Sequence, residues 1–233
     1  MIYAAVVAGG TGSRMGADVP KQFLEISGKP VLVHTLSAFE EKVNKIVVAC
    51  HGDYVEHTKA LAEKYGVNTE VIPGGKDRME SLAAILSYLA EIGAEDDDII
   101  LTHDGVRPFV SDEMIEKSIE NARQGHFSTV AINATDTVCV SADGENIDGV
   151  PMRKEVFNIQ TPQTFTFGKL SQMLEKCSDP GRFTDLCGLA LSMGENVKIV
   201  AGSSENIKIT VPADLAVAEA ILEKRKNENR YSK

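Results

Sequence analysis

The sequence predicts an α/β fold, a mainly parallel sheet with helices on both faces. Three observations predict it. Short apolar runs rich in β-branched residues alternate with amphipathic helical patterns. The strand candidates are continuously apolar rather than alternating, as in strands covered on both faces. Apolar residues make up 43% of the 233-residue chain, enough for the large core that such a sheet needs within one domain.

The elements follow in order. IYAAVVA is a first buried strand, and PVLVHTLSAFEEK carries apolar residues at helical spacing. KIVVAC is a strand, then YVEHTKALAEKYG is a helix that stops at Gly66, a residue suited to a left-handed C-cap. TEVIPGG is a strand running into a turn, and RMESLAAILSYLAEIG is an amphipathic helix. DDIILTHDG is a strand, SDEMIEKSIENARQG is a helix opened by Ser111 as N-cap, and FSTVAINAT is a fifth strand. From Asp136 to Phe165 the rhythm breaks. A hairpin around ADGEN is followed by extended chain with Pro151, Pro162 and recurrent apolar residues, which reads as an arm over 136–165 suited to gripping a second subunit. Helices near 168–176 and 184–194, a strand at VKIVAG, the extended NIKIT and a helix from Pro212 to about Lys224 complete the chain, and KRKNENRYSK reads as a frayed tail.

Composition narrows the function. A net charge of −10 argues against a nucleic-acid binder, while leaving room for a small anionic substrate if cations are gathered locally. Four cysteines without CxxC spacing and five histidines without an HxxxH pair argue against a metal framework, and reduced thiols are expected. No run reaches the ~18 apolar residues of a membrane span. The opening MIYAAVVAGG reads as a strand rather than a secretory signal, so the expected location is cytoplasmic.

In open parallel sheets, ligands sit beyond the carboxyl ends of the strands. Three loaded stretches fall at that edge: GGTGSR, GGKDR and HDGVRP. The first is not a P-loop, since no GK[ST] follows at the required spacing, and it is not GxGxxG, since Met15 stands where the third glycine belongs. What remains is a glycine loop that lets backbone N–H groups approach phosphates. Two cations follow it. Arg14 offers a planar fork for phosphate oxygens, and Lys21, placed by Pro20, offers a compact point charge. Asp104, a carboxylate at a strand end beside phosphates, is the candidate ligand for Mg²⁺. His103 reads as structural.

AGGTGSRMG with PKQF, GGKDRMES, HDGVRPF, Asp136–Thr137, RKEVFNIQTPQTF and ENIKITVPADL occur in the order found in the CTP-dependent polyol-phosphate cytidylyltransferases, and the chain resembles that family along nearly its whole length. The resemblance implies a Rossmann-like nucleotidyltransferase fold and transfer of CMP from CTP to a polyol phosphate, with pyrophosphate released. Two anions must meet for that reaction, so fixed positive charge is the largest available help. By the resemblance, Arg14, Lys21, Arg153 and Lys208 act in catalysis. Val7, Ala8, Gly9, Gly10, Thr11 and Gly12 cradle the nucleotide phosphates, and Gly74, Gly75, Lys76, Asp77, Arg78, Ser81 and Asp104 surround the rest of the nucleotide. An acidic residue is common in the family at Lys76. Arg107, Asp136, Thr137, Arg153, Thr161, Thr184 and Lys208 face the polyol phosphate. Arg153 lies on the arm, so a homodimer would let it serve a neighbouring subunit's site.

Two branches of the family fit. AGG in place of AAG, VRPF in place of ARP, VPMRKEVF without a tryptophan, and TDLC in place of TDE lean towards ribitol 5-phosphate, the branch that supplies CDP-ribitol for wall or capsule polymers. The alternative acceptor is 2-C-methyl-D-erythritol 4-phosphate of isoprenoid synthesis. A non-catalytic nucleotide-binding protein on the same fold is the other alternative.

Overall fold

The computed structural model describes residues 1–10, 15–16, 19–177, 179 and 182–231. Strands β1 (Ile2–Ala8), β4 (Lys45–Cys50), β5 (Glu70–Pro73), β6 (Ile99–Asp104), β7 (Phe127–Asn133), β8 (Phe157–Thr166) and β9 (Val197–Ala201) form one sheet. Its order is β5-β4-β1-β6-β8-β7-β9. A small hairpin of β2 (Glu25–Ile26) and β3 (Lys29–Pro30) stands apart. The seven strands run parallel except β8, which is antiparallel to both β6 and β7. The expected α/β architecture, a mainly parallel sheet with helices on both faces, is observed.

Both faces of the sheet are buried. In β1, Ala4, Val6 and Ala8 belong to one core with Leu32, Val48 and Leu101, while Tyr3 and Ala5 belong to the other with Val47, Leu82 and Ile100. This period-two division of a continuously apolar strand is why no polar alternation shows in its sequence. The helices are α1 (Val31–Ser37), α2 (Val55–Tyr65), α3 (Arg78–Glu91), α4 (Asp112–Arg123), α5 (Phe167–Lys176), α6 (Leu186–Ser192) and α7 (Pro212–Tyr231). Their ends follow side-chain chemistry. Gly66 closes α2 at φ 71°, Ser111 accepts the Met114 N–H at the start of α4, and Asp77 accepts the Glu80 N–H at the start of α3.

Three expectations are corrected. The helix read over 30–42 ends at Ser37, and beyond it Phe39 turns inward to meet His103 edge-on, ring centroids 5.0 Å apart. The arm read over 136–165 loses its last residues to the sheet, because Phe157–Thr166 is β8. A proline such as Pro162 cannot donate to a sheet ladder. The ladder accommodates it with a bulge: Thr129 pairs with Gln163 and Ala131 with Ile159, so Gln160, Thr161 and Pro162 stand opposite Val130 alone. The tail read as frayed continues α7 to Tyr231. Arg225 anchors it, with Nη2 donating to Glu205 at 3.1 Å and to the Phe109 carbonyl at 3.3 Å.

Between β7 and β8 the chain leaves the sheet over residues 134–156. Its hairpin turns at ADGEN as expected and is closed by a bridge between Val140 and Gly149. Asp143 accepts the N–H groups of Glu145 and Asn146 in the turn. Val140, Ile147, Val150 and Met152 are exposed there. No helix among the described residues is long and apolar enough to cross a membrane.

Candidate active site

Strand order reverses between β1 and β6, since β4 and β5 lie on one side of β1 and β6 on the other. The crevice at that switch point is where an open parallel sheet binds ligands. Val7 pairs with Asp104 there, and Gly105 N–H donates to the Val7 carbonyl at 2.9 Å.

Two cavities open at this edge. The first, of about 220 Å³, is lined by Val7, Ala8, Gly9, Gly10, Lys21, Gln22, Gly75, Lys76, Asp77, Arg78, Ser81, Asp104, Val106 and Lys208. The second, of about 400 Å³, is lined by Arg78, Asp104, Arg107, residues 157–161, Gln163, Thr184, Asp185 and Lys208. Arg78, Asp104 and Lys208 line both, so they form a common wall.

That wall is an ion cluster. Asp104 Oδ2 lies 3.0 Å from Lys208 Nζ and 3.3 Å from Arg107 Nε, and Oδ1 lies 3.5 Å from Arg78 Nε. Burial alone would raise the Asp104 carboxyl. Lys208, Arg78 and Arg107 overcome it and hold the group well below the usual carboxylate range. One carboxylate against three cations leaves local positive charge, which is the electrostatic condition for binding anions in an acidic protein. Arg78 adds a second sign. Its buried Nη1 has no hydrogen-bond partner among the described residues, at a typical cost of ~1–3 kcal/mol that an anion would remove.

Neutral groups hold the cluster in place. His103 is fully buried, and burial pushes its pKa down to about 4. Its Nε2 faces the Arg107 carbonyl at 3.1 Å, which requires the Nε2–H tautomer. Nδ1 then accepts from Thr161 Oγ1 at 2.9 Å, and the same oxygen accepts the Asp104 N–H at 3.2 Å. The β8 bulge puts Thr161 within reach of both. Gln163, also buried, accepts from Arg78 Nη2 at 3.1 Å through Oε1, a neutral acceptor that leaves the guanidinium charge uncancelled.

The GGKD turn is built by close approach. Ser81 Oγ accepts the Gly75 N–H at 3.1 Å and donates to the Asp77 carbonyl at 2.8 Å. A Cβ on Gly75 would stand 2.2 Å from Glu80 Cβ, so no larger residue fits without moving α3. Lys76 Nζ pairs with Glu80 Oε1 at 2.7 Å and is largely exposed, so its charge is answered within the turn.

The expected residues sort as follows. Val7, Ala8, Gly9, Gly10, Lys21, Gly75, Lys76, Asp77, Arg78, Ser81, Asp104 and Lys208 come together at the first cavity, with Gly74 adjacent in the turn, its N–H donating to the Cys50 carbonyl. Arg107, Thr161, Thr184 and Lys208 come together at the second. Asp136, Thr137 and Arg153 line neither cavity. Arg153 sits in a 3-10 turn (Arg153–Glu155) and donates to the Thr135 carbonyl at 3.4 Å. Thr11, Gly12 and Arg14 lie outside the described residues.

Sequence reasoning missed Gln22, Gln163 and Asn206. Gln22 is buried and donates to the Ala8 carbonyl at 2.8 Å, pinning the end of β1. A buried amide within PKQF has no periodic signature, so only its place beside Lys21 could have pointed to it. The expected metal ligand fares differently. Among the described residues no group of three or more His, Cys, Asp or Glu could hold an ion. Asp104 is already engaged by three cations, so the protein alone does not fit a resident divalent metal.

The family profile described as 2-C-methyl-D-erythritol 4-phosphate cytidylyltransferase (IspD) matches residues 2–224. Similar solved structures include a 4-diphosphocytidyl-2C-methyl-D-erythritol synthase from Anaerococcus prevotii, 32% identical with a TM-score of 0.82, the match covering 96% of each chain. A 2-C-methyl-D-erythritol 4-phosphate cytidylyltransferase from Thermus thermophilus is 27% identical with a TM-score of 0.75, covering 94% of this chain and 98% of that one. One from Francisella tularensis is 27% identical with a TM-score of 0.76, covering 93% and 97%.

Proposed function

Because the chain belongs to the 2-C-methyl-D-erythritol 4-phosphate cytidylyltransferase family, we propose that it transfers CMP from CTP to 2-C-methyl-D-erythritol 4-phosphate. It is a nucleotidyltransferase of the cytidylyltransferase type. The sequence lean towards ribitol 5-phosphate rested on a few motif variants. What supports the methylerythritol acceptor instead is the name carried by the matching family and by relatives aligned over almost the whole chain.

The observation that carries the site reading is the common wall of Arg78, Asp104 and Lys208. CTP occupies the first cavity, its phosphates against the β1 glycines and Lys21, its base and ribose against the GGKD turn. The polyol phosphate occupies the second, against Arg107, Thr161 and Thr184. Its phosphate oxygen attacks the α-phosphorus at the wall. A new P–O bond forms, the bond to the β-phosphate oxygen breaks, and pyrophosphate leaves with that electron pair. Lys208 and Arg78 stabilise the charge that accumulates between the substrates, and Lys21 serves the nucleotide side with Arg14. Removing one such donor costs ~3–4 kcal/mol of barrier in comparable sites. Mg²⁺ would be held by the CTP phosphates as part of that substrate, where it would neutralise phosphate charge. A direct bond to Asp104 would have to displace a cation from it, and no step here depends on one.

The arm supplies a second element of this reading. Its exposed apolar residues Val140, Ile147, Val150 and Met152 fit a surface covered by a second copy, and Arg153, which lines neither cavity of its own chain, would then complete the partner's site. Asp136 and Thr137 would lie at the same junction.

Pyrophosphate release from CTP, measured side by side with 2-C-methyl-D-erythritol 4-phosphate and ribitol 5-phosphate, tests the proposal. Faster turnover with the methylerythritol substrate is expected. Preference for ribitol 5-phosphate would reverse the acceptor assignment, and release with neither would end it.

A further inference from the structure

Residues 202–208 follow β9 at the carboxyl edge of the sheet, and Asn206 lies at their centre, fully buried. Its Nδ2 donates to the Thr161 carbonyl at 3.0 Å and to Gln160 Oε1 at 3.3 Å. Its main-chain carbonyl accepts from Arg107 Nη1 at 2.8 Å. All three partners line the second cavity, and none lines the first. Gln160 is gripped from the same segment at its other end, Nε2 donating to the Ser203 carbonyl at 2.9 Å. Even the backbone is shaped to it, since a Cβ on Gly202 would stand 2.5 Å from Gln160 Oε1.

We infer that Asn206 is a positioning residue for the acceptor substrate: it locks the β8 bulge to the segment bearing Lys208, and so sets the shape of the second cavity through partners that do not line the first. The physical reason is the bulge. Gln160, Thr161 and Pro162 have left the regular ladder with β7, so their backbone carries polar groups that the sheet does not hold. Asn206 supplies a donor to the Thr161 carbonyl. At the same time its main chain fixes the guanidinium of Arg107, the cation of the second cavity that the first does not share. Asn206 therefore joins three segments around one pocket, its side-chain amide holding β8 and its main-chain carbonyl holding Arg107. This rests on the assignment of the second cavity to the polyol phosphate.

The test is the Asn206→Ser variant, assayed with CTP and 2-C-methyl-D-erythritol 4-phosphate, with Thr184→Val, another residue lining the second cavity, as a comparison. The Asn206 variant should raise KM for the polyol phosphate roughly five- to tenfold, the equivalent of a lost buried hydrogen bond, with the dissociation constant of CTP unchanged. Asn206→Asp, which is isosteric but turns one donor into an acceptor, should not restore KM. Equal weakening of CTP and polyol phosphate, in step with a lowered Tm, would mean a general structural role and would overturn the inference. If Thr184→Val shifts the acceptor KM and Asn206→Ser does not, the inference fails while the cavity assignment stands. If neither shifts it, the cavity assignment itself falls. Where Asn206→Ser does not fold, Gln160→Leu carries the same comparison.

Discussion

Lys208 Nζ stands 3.0 Å from Asp104 Oδ2, joining the end of β6 to a segment that follows the last strand of the sheet. The Asp104 side chain is nearly buried while that of Lys208 is 43% exposed, so the cation has room to trade its carboxylate for a phosphate. Arg78 and Arg107 remain on Asp104 when it does. We expect Lys208→Met to lower kcat/KM by ~10²–10³ with little change in Tm, because two cations still balance the carboxylate. Steady-state kinetics beside a thermal melt would check it, and a fall in Tm large enough to explain the lost activity would contradict it.

His103 links protonation to stability. Its ordinary value near 6.5 falls to about 4 in the fold, so the unfolded chain binds the extra proton first. The neutral ring's contribution is complete above pH 6.5 and is lost as pH falls towards 4. The full effect is on the order of 3 kcal/mol. Asp104 has the same sign, being depressed in the fold, but acts below the ordinary carboxylate range near 4. Denaturant unfolding from pH 7 to 4 should therefore show stability falling across this window. His103→Gln should be less stable at pH 7 and show a flatter profile, and an unchanged slope would remove His103 as its source.

Gly75 tests the nucleotide turn. Gly75→Ala places a methyl group against Glu80 Cβ, and overpacking of this kind costs ~1–3 kcal/mol. The strain falls on the loop between Gly75 and Asp77, so CTP affinity should weaken at least tenfold while the KM for the polyol phosphate changes less. Calorimetric titration of CTP would read it directly.

Complementation tests the arm. Lys21→Ala and Arg153→Ala should each be nearly inactive, Lys21→Ala through kcat more than through CTP affinity. Mixed together, the two variants should recover part of the wild-type rate if Arg153 serves the partner's site. No recovery in verified mixed dimers would return Arg153 to its own chain.

Much of this was legible in the sequence, and the reasons differ by element. β1, β4 and β6 announced themselves because strands buried on both faces are continuously apolar, and the helix ends at Gly66 and Ser111 because caps are local chemistry. The glycine turn after β1 could be read as chemistry from its own residues, whereas the GGKD turn and Lys208 took their roles from the family resemblance. β8 was not legible, because its bulge hides both its periodicity and the exception made for Pro162. Nor was the wall of Arg78 and Lys208 on Asp104. It depends on three loops converging, and no local pattern encodes a distance across the sheet. Asn206 was invisible for the same reason: an amide reveals its role only through what surrounds it.

The insertion that leaves the sheet at Asn133 and returns at Phe157 does so across a single paired rung, since those two residues face each other in the ladder. Changes in length beyond that neck therefore have a short route into the register that delivers Thr161 and Gln163. In the proposed dimer, a change of side chain at Arg153 in this insertion would alter the neighbour's chemistry while leaving the strand register of its own subunit intact.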